Sequence, residues 1–254
     1  QRGKIFDPQL GLEDLKKNKI KFIGNPDVRI KEDYLRILRF LRFSIQYKSF
    51  DINDDTQKAI KKNLNGITNL SKERIYGELQ KIIKLKNFHD LFKNKFLLNI
   101  FNLIFPELKY TERVKKIKKL SEIKNQYNNE EDLILSLMLL DYSNNHEYFV
   151  YKYNVSNEIK NNLYLYSKLL KEINLNRDFF SKSLNKNIFS YGKKTIKKIF
   201  IIYNMIGKKT FNSKTESILS KINKTEIPKL PITGDDLLKK GVPSGKKVGE
   251  ILKK

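Results

Sequence analysis

The stretch GNPDVRIKEDYLRILRFLRF, residues 24–43, decides how this chain folds, because it sets an acidic pair and three evenly spaced arginines against a strongly apolar background. Leucine, isoleucine and phenylalanine recur at helical spacing, so the sequence predicts one largely buried helix over residues 31–48. The Gly-Asn-Pro run at positions 24–26 is typical of a break in the chain before such a helix. The polar residues of this stretch therefore lie on a helix that is otherwise apolar.

The acidic pair and the arginine row share one face of this predicted helix. Glu32 lies four residues before Arg36 and Asp33 three residues before it, so we expect these side chains to bond to one another. Arg39 and Arg42 continue the row by one turn each. Acidic residues in a first turn and a Glu–Arg pair at this spacing are also typical of an ordinary capped helix, and both interpretations stay open at this point.

Arginine is used sparingly in this chain, since only 8 of its 52 basic residues are arginine. A lysine suffices where charge alone is needed, whereas the planar fork of arginine matches a base edge or a phosphate in fixed geometry. Five of the eight lie between residues 29 and 74: Arg29, Arg36, Arg39, Arg42 and Arg74. This concentration predicts a binding site for a nucleotide or a phosphate.

The Asp33 and Arg36 side chains have the polarity that two particular bases require. Cytosine and adenine each present an amino donor beside a ring-nitrogen acceptor, and a carboxylate beside a guanidinium offers the complementary acceptor and donor. Guanine and uracil present the opposite polarity. We therefore predict that Asp33 and Arg36 select cytosine and adenine. Arg39 and Arg42, one and two turns further on, are placed to meet a triphosphate or to hold the pair in position.

The composition favours a polyanionic partner. The net charge is +24 and the pI is near 9.8, a balance for which nucleic acid is the usual partner, although AT-rich codon usage is another source of lysine. The chain has no cysteine, so we expect no disulfide partner and a reducing, cytoplasmic setting. No signal peptide and no apolar stretch of roughly 18–20 residues are visible, so we expect no membrane association. Because residue 1 is glutamine, we expect the chain to begin inside a longer protein.

The predicted fold class is mainly α. Residues 1–30 have the pattern of a small α/β unit, with strand-like alternation from Lys19 to Ile23. From Lys31 onward the apolar spacing is helical almost throughout. Residues 226–231 predict a linker, followed by two short helices around a Gly-Val-Pro-Ser-Gly turn at 241–245.

These motifs resemble the class II nucleotidyltransferase superfamily, and specifically bacterial CCA-adding enzymes and poly(A) polymerases. Asp7-Pro8 followed by Gly11-Leu12-Glu13-Asp14-Leu15 resembles the third motif of the family's head domain, and residues 24–43 resemble its templating motif. Residues 70–79 resemble the neck motif that follows, and residues 231–245 resemble a segment near the C-terminus of many bacterial members. Tyr34 departs from the pattern, because many relatives have proline there.

The resemblance implies a set of domains and residue roles. It implies a remnant of the head in residues 1–30, a helical neck in 31–95, an RNA-binding helical body in 96–225 and a helical tail in 226–254. The residues it implies for nucleotide binding are Glu32, Asp33, Arg36, Arg39 and Arg42, with structural support from Arg29, Arg74 and Glu78. The family's catalytic carboxylates precede the matched motifs, so the resemblance implies Mg²⁺ in the intact enzyme, with neither a catalytic residue nor a metal ligand in this chain.

Pairs of lysines recur on the later predicted helices and are the candidates for contacts with RNA phosphates. A solvated lysine face is the alternative for each pair. The candidates are Lys115, Lys116, Lys193, Lys194, Lys197 and Lys198, with further pairs at Lys118-Lys119 and Lys208-Lys209.

The sequence thus predicts base selection and RNA binding for a tRNA nucleotidyltransferase that adds CCA to tRNA 3′ ends from CTP and ATP. Two alternatives stay open: a poly(A) polymerase of the same superfamily, and a non-catalytic RNA-binding half of a split enzyme. The intact protein is expected to be an enzyme, with tRNA, CTP and ATP as its partners.

Overall fold

The computed structural model describes residues 6–117, 130–207, 213–226 and 233–252. These residues are folded into helices and connecting segments, with no strand among them, so the prediction of a mainly α fold is confirmed. The chain forms two compact units, residues 1–177 together with 198–211, and residues 178–197 together with 212–254. The division into head remnant, neck, body and tail stays a prediction.

The helices of the first half of the chain are short and closely spaced. They are α1 Gly11–Lys16, α2 Pro26–Glu32, α3 Leu35–Gln46, α4 Asp54–Asn63, α5 Lys72–Ile83, α6 Lys95–Ile104 and α7 Thr111–Ile117, with 3₁₀ helices at Leu64–Asn69 and Phe88–Lys93. The later helices are α8 Glu131–Leu139, α9 Asn145–Tyr153, α10 Asn157–Leu175, α11 Leu184–Tyr191, α12 Lys193–Ile206, α13 Ser213–Lys224, α14 Gly234–Lys239 and α15 Lys246–Ile251.

Side-chain caps fix where several helices begin. The Asn53, Ser71 and Asn94 side chains each accept the backbone N–H three residues later, at the starts of α4, α5 and α6. Such caps satisfy amides that have no partner within the helix, and each stabilises the fold by about 1 kcal/mol. The positions of these polar residues therefore set the lengths of the helices that form the first unit.

The core of the first unit is built around α3 and α5, which pack against each other. On α3 the fully buried side chains include Ile37, Leu38 and Ile45, and on α5 they include Leu79 and Ile82. Burying an aliphatic side chain of this size contributes about 1.5–3 kcal/mol, so this contact dominates the stability of the pair. The same packing fixes the start of α5 beside the start of α3.

The strand predicted at residues 19–23 is not formed in the described part of the chain. The alternation itself is preserved, because Ile20 and Phe22 are half-buried while Lys19, Lys21 and Ile23 stay exposed. The Phe22 ring stacks on Phe40 of α3 at 5.2 Å, and the Ile20 N–H donates to the Ser49 hydroxyl. A strand needs a second strand to pair with, and here the extended segment packs on a helix instead.

The second unit ends in the helical hairpin that the turn residues predict. Thr233 and Asp236 cap α14 reciprocally, and Gly241 and Gly245 between α14 and α15 have φ of 83° and 124°. Such backbone angles favour glycine, so the hairpin depends on these two positions. The predicted linker falls mostly on residues 227–232, which lie outside the described residues, as do Lys118, Lys119, Lys208 and Lys209.

Among the described residues, no helix has both the length and the apolar character that crossing a membrane requires.

Candidate nucleotide-binding site at the start of α3

The site is built on a break between α2 and α3. Asn25 caps α2 and Pro26 occupies its first turn, so α2 begins where the Gly-Asn-Pro run predicts a boundary. It ends at Glu32, after which Asp33 is extended, with φ of −157° and ψ of 107°. The Asp33 carboxylate then accepts the Leu35 N–H at 3.1 Å at the start of α3. The prediction of one continuous helix over residues 31–48 is therefore wrong at its N-terminal end.

Tyr34 fills the break and packs directly against the backbone of the first 3₁₀ helix. A Cβ atom added at Gly66 would lie 2.1 Å from the Tyr34 ring, so only glycine fits beneath the tyrosine. This contact holds the junction between α2 and α3 against the segment that leads to α5. The residue at which the sequence departs from the family pattern is thus accommodated by a matching glycine.

Arg36 is positioned by the end of α2. The Glu32 carboxylate accepts a hydrogen bond from Arg36 Nη1 at 2.7 Å and another from Arg29 Nη1 at 2.6 Å. Arg36 Nη1 also donates to the backbone carbonyl of Arg29 at 2.8 Å. The bond from Arg36, followed by that from Arg29, holds the pKa of Glu32 below its ordinary value, so the carboxylate stays charged. The pairing of Glu32 with Arg36 that their spacing predicts is present.

Asp33 is held by a different partner from the one that the spacing predicts. Both of its carboxylate oxygens accept hydrogen bonds from Arg74 Nη2, at 3.0 and 2.8 Å, whereas no side-chain bond links it to Arg36 among the described residues. The reason is the extended backbone at Asp33, which turns the carboxylate away from the α3 axis and toward the first turn of α5. The predicted Asp33–Arg36 bond is therefore corrected to an Asp33–Arg74 pair.

Arg39 and Arg42 lie in contrasting surroundings. Arg39 is exposed and makes no hydrogen bond or ion pair with any described residue. Arg42 is largely buried, with Nε donating to Glu78 of α5 at 2.8 Å and its guanidinium 4.2 Å from the centre of the Phe43 ring. Lys81 donates to the same carboxylate at 2.8 Å. Arg42 thus links α3 to α5, and Arg39 is available to a ligand.

Glu78 is ionised despite its burial. Burial opposes the charge, but the hydrogen bonds from Lys81 and Arg42 outweigh it, so the pKa of Glu78 lies below its ordinary value. Its side chain is only 4% exposed. The Arg42–Glu78 ion pair is therefore part of the interface between α3 and α5.

The lysines predicted to contact RNA do not share one environment. Lys115, Lys116 and Lys194 are exposed, and Lys193 is half-buried with its amine donating to the Asn223 carbonyl at 3.3 Å. Lys197 is buried.

Lys198 is only 4% exposed, and its amine donates to both oxygens of Asp132, at 2.8 and 2.7 Å, and pairs with Glu130. The prediction that Lys197 and Lys198 contact RNA is corrected, because both side chains are enclosed within the fold.

No group of three or more His, Asp or Glu side chains in the described residues is arranged to hold a metal ion. The divalent ion that the family resemblance implies therefore finds no ligand set among these residues.

A surface cleft near the start of α5 was not predicted from the sequence. It has a volume of about 570 Å³ and lies between α5, α9 and α10. Tyr151 and Tyr164 are exposed along it, although tyrosines on a predicted helix are more often core residues. The sequence signal that was available is the Tyr148–Tyr151 spacing on α9, which places both rings on the face opposite the buried Phe149 and Tyr153.

The family models match most of the chain in two blocks. Residues 49–111 match the family described as "Probable RNA and SrmB- binding site of polymerase A". Residues 125–254, more than half of the chain, match the family described as "tRNA nucleotidyltransferase domain 2 putative". The chain belongs to the tRNA nucleotidyltransferase family. This places it in the superfamily of CCA-adding enzymes and poly(A) polymerases that its motifs resemble.

Two curated relatives of this chain are named as a CCA-adding enzyme and a CCA tRNA nucleotidyltransferase. The CCA-adding enzyme of Ligilactobacillus salivarius is 30% identical over 266 residues, which cover 100% of this chain and 61% of the relative. The mitochondrial CCA tRNA nucleotidyltransferase 1 of Danio rerio is 27% identical over 256 residues, which cover 98% and 57%. The chain therefore spans about three fifths of the length of these relatives.

Solved CCA-adding enzymes have the same fold in their corresponding part. A crystal structure of the Bacillus stearothermophilus CCA-adding enzyme in complex with CTP matches with a TM-score of 0.54 at 19% identity, over 99% of this chain and 63% of that chain. A second complex of a CCA-adding enzyme with CTP matches with a TM-score of 0.58 at 20% identity, over 96% and 59%. At this level of identity the comparison establishes the fold.

Proposed function

We propose that this chain supplies base selection and RNA binding to a tRNA nucleotidyltransferase that adds CCA to tRNA 3′ ends from CTP and ATP. The observation that carries the proposal is that Asp33 and Arg36 lie three residues apart, at the junction between α2 and α3. Each of the two side chains is held by a separate partner. Arg74 holds the carboxylate and Glu32 holds the guanidinium. Two groups of opposite polarity are thereby kept in place before a base arrives.

Arg36 keeps donors for a base. Both of its hydrogen bonds use Nη1, so Nη2 and Nε face no hydrogen-bond acceptor among the described residues. Its side chain is partly exposed, so a ring nitrogen of cytosine or adenine has access to these atoms.

Asp33 keeps an acceptor for the same base. Each carboxylate oxygen has two lone pairs, and Oδ2 accepts only from Arg74. The amino group of cytosine or adenine would donate to the remaining acceptor position. A guanine or uracil at the same place would oppose donor to donor and acceptor to acceptor, which costs about 1–3 kcal/mol per mismatched bidentate contact.

The triphosphate of the bound nucleotide is assigned to Arg39. It lies one turn beyond Arg36 and has no partner within the described residues, and its guanidinium suits a phosphate. Arg42 is engaged by Glu78 and therefore acts through the packing of α3 against α5.

RNA binding is supported by the charge of +24 and by the family match over residues 49–111, whose description names an RNA-binding site. Exposed lysines on two helices, Lys115, Lys116 and Lys194, are the proposed phosphate contacts. The enzyme that contains this chain is proposed to use Mg²⁺ held by residues outside it. The absence of cysteine fits a cytoplasmic location.

A poly(A) polymerase is the second candidate, because the description of the matched RNA-binding family names polymerase A. Incubating the protein that contains this chain with tRNA lacking CCA and with single nucleotides separates the two. We expect CTP alone to add two residues, and ATP to add one only after CTP. Long tails from ATP alone would contradict CCA addition and favour the polymerase. RNA binding without incorporation of any nucleotide would favour a non-catalytic half of a split enzyme.

A further inference from the structure

The cleft between α5, α9 and α10 is a second candidate binding site in the first unit. It is close to 570 Å³ in volume, which is within the range of about 300–1,000 Å³ that is common for ligand sites. We call it the tyrosine cleft, and its lining includes Lys72, Glu73, Glu147, Tyr151, Lys160 and Tyr164.

Tyr151 is the prominent feature of the tyrosine cleft. It is 77% exposed, whereas its neighbours Phe149 and Tyr153 on α9 are fully buried in the core. The amine of Lys72 lies 5.1 Å from the centre of the Tyr151 ring. An exposed aromatic ring with a cation at hand is what proteins use to stack the bases of single-stranded nucleic acid.

The charge of the tyrosine cleft fits a base better than a phosphate. Lys72 and Lys160 are balanced by Glu73 and Glu147, so the cleft is locally neutral although the chain carries +24. A phosphate would meet two carboxylates there. A base is planar and uncharged, and its edge carries both donors and acceptors, which the two amines and two carboxylates complement.

The position of the tyrosine cleft relates it to the base-selecting site. Lys72 and Arg74 lie in the first turn of α5, and two residues correspond to a rotation of about 200° around a helix, so the two side chains point to opposite sides. Lys72 lies over Tyr151, and Arg74 bonds Asp33. The two sites therefore lie on opposite sides of α5.

We propose that the tyrosine cleft binds an unpaired base near the 3′ end of the RNA substrate by stacking it on Tyr151, on the opposite side of α5 from the base that Asp33 and Arg36 select. This inference rests on the proposed function, and it adds a site that positions the RNA relative to the incoming nucleotide. Tyr151 would hold the growing end so that its terminus reaches the start of α3.

The test is the binding of this chain to an RNA hairpin with an unpaired three-nucleotide 3′ tail, measured without any nucleotide. Tyr151→Ala is expected to weaken binding about tenfold, within the range for loss of one base stack, whereas Tyr151→Phe keeps the ring and the affinity. Tails with a single abasic position identify the partner. When the abasic position is the one that Tyr151 contacts, Tyr151→Ala should no longer weaken binding, because the RNA has no base there to stack on the ring.

The matched control is Tyr148→Ala. Tyr148 lies one turn earlier on α9 and is 55% exposed, but it does not line the tyrosine cleft. An unchanged affinity for this variant supports the proposal. The proposal is overturned if Tyr148→Ala weakens binding as much as Tyr151→Ala does, if Tyr151→Ala has no effect, or if its effect persists at every abasic position.

These outcomes are independent of base selection. The binding assay contains no nucleotide, so a negative result for the tyrosine cleft does not affect the proposed roles of Asp33 and Arg36. A loss of those roles in turn would leave the coupling between Tyr151 and the RNA base in place.

Discussion

The two ends of the arginine row on α3 are made of the same residue types but have different surroundings. At the C-terminal end, Arg42 and Glu78 form an ion pair in which both side chains are largely buried, 15% and 4% exposed. At the N-terminal end, the Glu32–Arg36 and Asp33–Arg74 pairs are partly open to solvent. A buried pair is strongly coupled to folding, whereas an exposed pair contributes little to stability and can exchange its partner for a ligand.

The same contrast is repeated among the lysines. Lys198 is enclosed with Asp132, whose carboxylate also accepts from the Tyr166 hydroxyl at 2.9 Å, while Lys116 is exposed without a described partner. Burial therefore separates the charged residues that hold this fold together from those that can meet a nucleotide or an RNA. Four changes test this separation.

The largest effect is expected for Lys198→Met. The substitution leaves the buried Asp132 carboxylate without its cation, which costs about 3–5 kcal/mol in the free energy of unfolding. Denaturant titration measures the change, with Lys116→Met as the control, for which a change within about 0.5 kcal/mol is expected. A Lys198→Met protein as stable as the parent would show that this amine does not support the fold.

Glu78→Gln is expected to be the next most damaging. The change leaves the Arg42 guanidinium without its anion at the interface of α3 and α5, and we expect a loss of about 3 kcal/mol in the free energy of unfolding. Glu73→Gln, at an exposed position on the same helix, provides the comparison and should be nearly neutral. Equal effects of the two substitutions would contradict the distinction between buried and exposed carboxylates on α5.

Arg74→Ala should change base selection more than stability. The Asp33–Arg74 pair is partly exposed, so its loss should cost less than about 1 kcal/mol of folding free energy. Without Arg74 the Asp33 carboxylate is no longer fixed, and we expect discrimination of CTP against UTP to fall about tenfold, while Arg74→Lys restores part of it. Intact discrimination in the alanine variant would remove Arg74 as the positioning residue of Asp33.

Acid should weaken the fold gradually. The pKa values of Asp27, Glu32 and Glu78 lie below their ordinary values, that of Asp27 at about 2, chiefly through its hydrogen bond from Lys31. Such carboxyls bind fewer protons in the folded than in the unfolded state, so they stabilise the fold above their unfolded pKa.

The free energy of unfolding is therefore expected to fall as the pH decreases from about 4.5 to about 2. In Glu78→Gln this decrease should be shallower, because one of the carboxyls with a lowered pKa is missing. A pH profile that is flat over this interval, or that rises toward acid, would contradict the ion pairs described here.

The sequence predicts the helices well because the apolar spacing of α3 and α5 is a local property of the chain. The break at Asp33 was missed, since it depends on the pairing of Asp33 with Arg74, 41 residues away, and on the Tyr34–Gly66 contact. The strand expected at residues 19–23 failed for a similar reason, because strand formation depends on a pairing partner. Spacing identifies which residues can share a face, but it does not identify the tertiary partner.

Lys198 shows the same limit for charge. Its place in a lysine-rich stretch favours a solvated position, and only the fold brings the Asp132 carboxylate to it. The four apolar residues from Ile199 to Ile202 that follow Lys198 on α12 are all buried. This apolar run is the feature of the sequence that indicates burial of the helix on all sides next to Lys198.

The central claim is that Asp33 and Arg36 choose the incoming base, and the most direct measurement is the rate of nucleotide incorporation by the protein that contains this chain. The variants are Asp33→Ala and Arg36→Ala, with CTP, UTP and GTP offered separately on tRNA lacking CCA. We expect both variants to lose at least tenfold of the preference for CTP while binding tRNA as the parent does, because a bidentate base contact is worth about 1–3 kcal/mol. Unchanged preference for CTP over GTP in either variant would contradict the account.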